Sequence, residues 1–280
     1  MKKIYLAAFV VISAFAISSC SKEEDPQTGG SGGGDVYSTI TVPATNTALV
    51  VKHSGTACPP CGGWGWTAWD DIISTNASGA HFLTAYDDNF VAKLFINQVS
   101  EDWATALALN SWPTFCANYK VQTARVGNGI DVAKTKQNIT DVVNAHNSGT
   151  VVANSAFKTS VEGDIMTVNT KTKFFSAGDG EYYLATYVVE NGVMGAQAGH
   201  PSYPSPVAHK YVLRDSYDET GKLHPSYGVM LTSGAVSAGT EFKNEHKFRL
   251  EPTWNKDNVT VFSVIWKKVG TKYEFVNMAK

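Results

Sequence analysis

The sequence predicts an α/β layer over residues 36–148, followed by an antiparallel β-sandwich over 149–280. Three observations carry this. Strand and helix signals alternate through the first half. From Val151 onward nearly every segment alternates or runs apolar at strand length between turns. The stretch from Cys20 to residue 35 holds no large apolar side chain from which a core could be built.

Within the first half, Ala48–Ser54 (ALVVKHS) reads as a short apolar strand leading into Cys58. Trp66, Trp69, Ile72 and Ile73 then recur at helical spacing. His81–Tyr86 (HFLTAY) is a second strand, and Ser100 is placed as the N-cap of a helix with acidic residues in its first turn. Pro113–Val121 supplies strand material, and Val132, Ile139, Val142 and Val143 mark a last helix that ends near Asn147–Gly149.

In the second half, SAFKTSVE, DIMTVNTKTKFF, EYYLATYVVE, HKYVLRD, TEFKNEHKFRLE, NVTVFSVIWKKV and YEFVNMA are strand segments, with turns such as Glu162-Gly163-Asp164 between them. One connection, Asn191–His209, is long and rich in Gly and Pro, so it is either functional or loosely ordered. The change of period near Ser148–Val151 predicts two separately folding halves.

Lys2 and Lys3 precede an apolar run, Ile4–Ile17, too short and wrongly flanked to span a membrane. Residues 1–19 therefore read as a targeting segment. The arrangement Ile17-Ser18-Ser19-Cys20 resembles a bacterial lipobox, in which the cysteine is lipidated and becomes the first residue. Residues 20–35, glycine-rich and polar, form a flexible tether. Its acidic run, Lys22-Glu23-Glu24-Asp25, resembles the signal that sends some Gram-negative lipoproteins to the cell surface. Removal of Lys2 and Lys3 with the targeting segment takes the formal charge from −2 to −4. No basic block or stripe exists, which argues against a nucleic-acid partner.

Cys58 and Cys61 enclose two prolines, and an exported chain meets an oxidising compartment where such a pair can join. Three readings compete. A metal site needs about four ligands, and once Cys20 is lipidated only Cys116 remains, with no histidine at matching spacing. A purely structural disulfide would close a four-residue loop, for which chain entropy supplies only about 2 kcal/mol. The redox reading uses more of the neighbours. Pro59 and Pro60 suit the first positions of a helix, which puts Cys58 at its cap, where a thiolate is stabilised. Cys61, one turn in, is suited to resolve a mixed disulfide. Gly62, Gly63 and Gly65 either fray the helix start or let another chain approach the sulfurs.

Strand, C-x-x-C, helix, strand, helix, then Trp112-Pro113-Thr114 entering a strand resembles the thioredoxin fold over roughly residues 45–148. The resemblance implies that Pro113 is cis, lies against the cysteines and pairs its backbone with substrate. Pro-Pro replaces the usual Gly-Pro between the cysteines, and Ala57 replaces the usual Trp before them, which leaves the redox direction open. With HKYVLRD (His209–Asp215) and the closing NVTVFSVIWKKVGTKYEFVNMAK, the whole chain resembles the outer-membrane-protein-28-related lipoproteins of Gram-negative bacteria. That resemblance implies an outer-membrane, lipid-anchored, surface-displayed protein.

The expected site residues are thus Cys58, Cys61 and Pro113, with lipid on Cys20, no metal and no cofactor, and a protein or peptide substrate. The competing function is a non-enzymatic surface binding or adhesion protein, with Asn191–His209 as contact surface. Cys116 is expected to be a buried, inert thiol facing away from Phe115. Asp87, Asp88 and Asn89 read as a solvated loop with a weaker reading as a cation site. His200, His209, His224 and His246 lack ligand-like spacing. Trp64 lies off the apolar helix face near the sulfurs.

Overall fold

All seven residues of β1 (Ala48–Ser54) are buried, because the strand lies at the centre of a sheet covered on both faces. The computed structural model describes residues 35–86, 95, 97–127, 129–214 and 217–280. The expected signal segment, Cys20, most of the tether and the Asp87–Asn89 loop fall outside them. β1 pairs in parallel with β2 (Ala80–Tyr86), from Ala48↔Ala80 to Ser54↔Tyr86. Parallel neighbours require a crossover, here α1 (Pro59–Gly62) and α2 (Trp64–Asn76). On its other side β1 pairs antiparallel with β3 (Thr114–Ala117). Asn118 and Tyr119, both at positive φ, turn the chain into β4 (Lys120–Val121), so Pro113–Val121 forms two strands.

Between β2 and β3 runs α3 (Gln98–Ala106). Its cap is Asn97 and not Ser100: the Asn97 carboxamide oxygen accepts from the Ser100 N–H at 2.9 Å, and the helix starts a turn earlier than expected. A hairpin of β5 (Ala124–Val126) and β6 (Gly129–Asp131) precedes α4 (Val132–Asn147), capped by Asp131.

The second half is made of strands: β7 (Ala153–Glu162), β8 (Ile165–Phe174), β9 (Glu181–Glu190), β10 (Val193–Gly195), β11 (Val207–His209), β12 (Val212–Arg214), β13 (Val229–Thr232), β14 (Glu241–Arg249), β15 (Val259–Val269) and β16 (Lys272–Ala279). β7, β8 and β14 form an antiparallel sheet of their own, and β10 pairs with β11. The other strands continue the first half's sheet in the order β16-β15-β9-β12-β2-β1-β3-β4, with β13 also on β9. The joint is narrow but well bonded. Val212 sits opposite Thr84, whose N–H and hydroxyl donate to the Tyr211 and Lys210 carbonyls, each at 2.7 Å.

One face of this mixed sheet carries a single apolar cluster drawn from both halves, including Leu49, Leu83, Trp103, Tyr187, Phe262 and Trp266. The opposite face is covered in two sections. α2 and α4 pack over the first half through Trp69, Ile72, Ile139 and Val143. The small sheet packs over β9 and β15, with Val168, Phe174 and Phe248 meeting Val188, Leu184 and Ile265. The change of period near Ser148–Val151 marks the end of α4 and the start of β7, but it does not separate two cores. Residues 35–280 form one compact unit. The reason is that β12, a strand of the second half, finds its partner in β2.

Candidate functional site

β1 delivers the chain through Gly55, Thr56 and Ala57 to Cys58, which holds an extended backbone and caps α1. Pro59 and Pro60 have no N–H, so the first amide able to face the Cys58 sulfur is that of Cys61, with N···Sγ 3.3 Å. The helix that Cys58 caps is short: Gly63 ends α1 after four residues and α2 starts afresh at Trp64. Whatever favours a thiolate at Cys58 is therefore this local amide more than a long helix dipole. The two sulfurs are joined in a disulfide, with Cys58 6% exposed and Cys61 fully buried.

On one side of the pair stands the Trp112–Pro113 peptide, which is cis. The Trp112 carbonyl oxygen lies 3.7 Å from Cys58 Sγ. The Pro113 ring rests on α2 at Gly65, where a Cβ would come within 2.5 Å of Pro113 Cγ. Cys58, Pro59, Pro60, Asn110, Ser111 and Trp112 border an open hollow of about 400 Å³. A second hollow of about 330 Å³ adjoins it, lined among others by Trp64, Pro113, Arg125 and Ile130. Trp64 thus borders the cysteine side, its ring 6.0 Å from that of Phe115.

The other side of the pair is closed by the Gly/Pro-rich connection between β9 and β12. Ala198 donates its N–H to the Thr56 carbonyl at 2.8 Å. The buried Gln197 carboxamide donates toward the carbonyls of Gly55, Thr56 and Cys58 at 3.1, 3.3 and 3.3 Å. Here Gly62 explains itself: a Cβ would lie 2.2 Å from the Ala198 oxygen. The expectation that these glycines admit another chain is thus corrected at Gly62, where the segment that approaches belongs to this chain.

Below this layer lies a buried polar group that sequence reasoning missed. Lys52 points its ammonium at the rings of Trp66 (5.2 Å) and Trp69 (5.9 Å), and burial pulls its pKa down to about 7, opposed by Asp70. Trp66 also meets the rings of His200 and His209 at 4.9 and 5.3 Å. His209 accepts from the Tyr86 hydroxyl at Nδ1 (2.6 Å) and donates from Nε2 to the Gly195 carbonyl. Burial holds it neutral, with a pKa lowered to about 4. Cys116 is buried in the shared cluster, on the sheet face opposite Phe115, with its thiol pushed up to about 12 by burial. His224 and His246 lie in the second half, away from the cysteines and against Phe248. Among the described residues no group of His, Cys, Asp and Glu is arranged to hold a metal. Lys52 carried a signal, a cation inside an apolar strand; Gln197 carried none.

No protein-family model matches the chain, and no curated protein sequence does. Among solved structures, HBP35 of Porphyromonas gingivalis is similar in fold, with a TM-score of 0.60 at 13% identity, covering 85% of this chain and 76% of that one. A protein of Agrobacterium tumefaciens superposes with a TM-score of 0.45 at 12% identity, over 84% of this chain and 93% of its own. A domain of the outer membrane lipoprotein Omp28 from Porphyromonas gingivalis reaches 0.28 at 9% identity, over 47% of this chain and 87% of its own. The last two scores are too low to carry an argument.

Proposed function

We propose that the chain is a lipoprotein of the outer membrane, anchored through Cys20 and displayed at the cell surface, whose thioredoxin-like first half exchanges thiols and disulfides with protein or peptide substrates. The observation that supports this most is the asymmetry of the cysteine pair: Cys58 meets an open hollow beside Pro113, whereas Cys61 is sealed.

In the reducing direction, the Cys58 thiolate attacks one sulfur of a substrate disulfide and the other substrate sulfur leaves as a thiolate. Cys61, deprotonated, then attacks Cys58 Sγ, reforms the intramolecular disulfide and releases the substrate's second thiolate, so two electrons pass from the pair to the substrate. The oxidising direction is the reverse. Either direction needs an external dithiol or disulfide to reset the pair. Pro113 and the Trp112 carbonyl form the wall against which an extended substrate backbone would lie.

The decisive measurement is capture in the native host. In Cys61→Ser a mixed disulfide at Cys58 has no resolving thiol, so covalent adducts should accumulate on gels run without reductant, and Cys58→Ser should capture little. Absence of adducts in both variants removes the exchange reading. A binding or adhesion function would then take its place. That reading draws on Met194 and Tyr203, each 58% exposed on the connection that spans Asn191–His209.

A further inference from the structure

We infer that Gln197–His200 is a strap that closes the Cys61 side of the disulfide, and that Gln197 is the positioning residue that holds it shut. The inference rests on the exchange reading for its purpose, though not for its test. Incoming thiolates are thereby confined to Cys58 Sγ, with Cys61 as the leaving thiolate, and attack on Cys61 itself is blocked.

The geometry is that of a built contact. Gln197 is 0% exposed, and its Nε2 lies within 3.3 Å of four carbonyl oxygens, those of Gly55, Thr56, Cys58 and Ala198. Three of these belong to the turn that carries Cys58. A side-chain amide with two hydrogens placed among so many backbone acceptors ties that turn to the second half of the chain.

Two glycines let the backbones touch, one on each partner. Gly62 of α1 has no room for a Cβ beneath the Ala198 oxygen, and Gly199 of the strap, at φ +79°, has none against the Pro59 oxygen at 2.0 Å. The strap is rooted at both ends. It leaves and re-enters the fold through the β10–β11 hairpin, where Val193 pairs with His209, and His209 is bonded to Tyr86 at the end of β2. Beyond Gly199, the His200 ring stacks edge-on against Trp66 of α2.

These contacts grip the Gly55–Pro59 turn and, at Gly62, the residue directly after the fully buried Cys61, while the hollow beside Trp112 stays open. The consequence is a one-sided disulfide. A substrate sulfur arriving through the hollow meets Cys58, and the mixed disulfide is resolved from within by Cys61 or, in the oxidising direction, by the substrate's own second thiolate. Without the strap, solvent thiols would reach both sulfurs, and the pair would be reset by any small thiol nearby.

The test is site-resolved alkylation, which needs no substrate and no exchange activity. In the full chain carrying Cys58→Ser, iodoacetamide labelling is followed by peptide mass mapping, so that Cys61 and Cys116 are read separately. Cys61 should label as slowly as buried Cys116, within a few-fold. Adding Gln197→Leu, which keeps bulk and removes the donors, should speed Cys61 at least tenfold while Cys116 stays slow. General loosening would move both thiols together; only an opened strap moves Cys61 alone. Gly62→Ala, which pushes directly on the Ala198 carbonyl, should do the same and decides the matter if the Gln197 variant unfolds. In the unmutated chain the Ala198 amide, bonded to Thr56, should be protected from hydrogen exchange. The proposal is overturned if Cys61 labels fast with the strap intact, if a folded strap variant leaves its rate unchanged, or if the Ala198 amide exchanges at the rate of a free loop.

Discussion

Lys52 sits inside the first strand with its ammonium over two indole rings and almost no water, an arrangement that disfavours the charge. Among the described residues its titratable neighbours include one carboxylate, Asp70, itself paired with Lys210 at 2.8 Å, and the neutral His209. Folded, Lys52 loses its proton near pH 7; unfolded, it does so near 10.5. Between those values the unfolded chain holds the extra proton, so raising the pH favours the fold. Lys52→Met should therefore be more stable than the parent at neutral pH and should lose an alkaline gain of about 1.4 kcal/mol per pH unit. Urea midpoints from pH 7 to 10 that run parallel in the two proteins would count against this. The histidines act on the acid side. His53, buried with neither ring nitrogen partnered among the described residues, is held down to about 3, and His246 to about 4. Their neutral forms are retained in the fold while the unfolded chain takes up protons below about pH 6.5, so stability falls as the pH drops from there toward 4.

At the level of elements, packing against Pro113 gives a sharp expectation. Gly65 is the second residue of α2, where alanine would improve helix propensity by about 1 kcal/mol. Against this, its Cβ would lie 2.5 Å from Pro113 Cγ and 3.0 Å from the Pro60 carbonyl oxygen. Overpacking of this kind costs about 1–3 kcal/mol, and the clash wins. Gly65→Ala should lower the urea midpoint, and a raised midpoint would show that α2 and the Trp112–Pro113 segment do not press on one another. The strands around this site were legible because burial imprinted a pattern on them. β1 is buried on both faces and apolar from Ala48 to Val51, and β8 alternates between buried and half-buried along its whole length. The C-x-x-C turn was legible from its place after an apolar strand, whereas the cis peptide at Pro113 beside it was expected only through the resemblance to the thioredoxin fold. The strap was not. Gly and Pro in Asn191–His209 read as looseness, whereas its order comes from carbonyls about 140 residues away, which leave no periodicity behind. The β5–β6 hairpin escaped for a plainer reason: three residues per strand are too few to show a period.

For the whole molecule, the question is whether the second half can stand alone. The cluster on the shared face packs Trp103 of α3 edge-on against Tyr187 and Trp266, with ring centres 5.2 and 5.8 Å apart. Cut away residues 35–150, and Tyr187, Val189, Leu213, Phe262, Val264 and Trp266 lose their cover on that face. The edge of β12 that bonds Thr84 is bared as well, a row of free backbone groups beside an apolar surface. The pairing of β7, β8 and β14 over β9 and β15 would survive in such a fragment, but it covers only one side of the larger sheet. Residues 151–280 expressed alone should therefore aggregate or lack a cooperative transition, while the full chain unfolds as one unit. Within the full chain, Trp103→Ala should cost about 3–5 kcal/mol and shift the unfolding of both halves together. Denaturant melts followed separately through probes in each half would read this. If the two halves of the variant separate into distinct transitions, or if 151–280 gives a cooperative β-rich melt by itself, the shared face does not bind the molecule into one folding unit. Coincident transitions would mean that the strap reaches the cysteine pair from within a single cooperative structure.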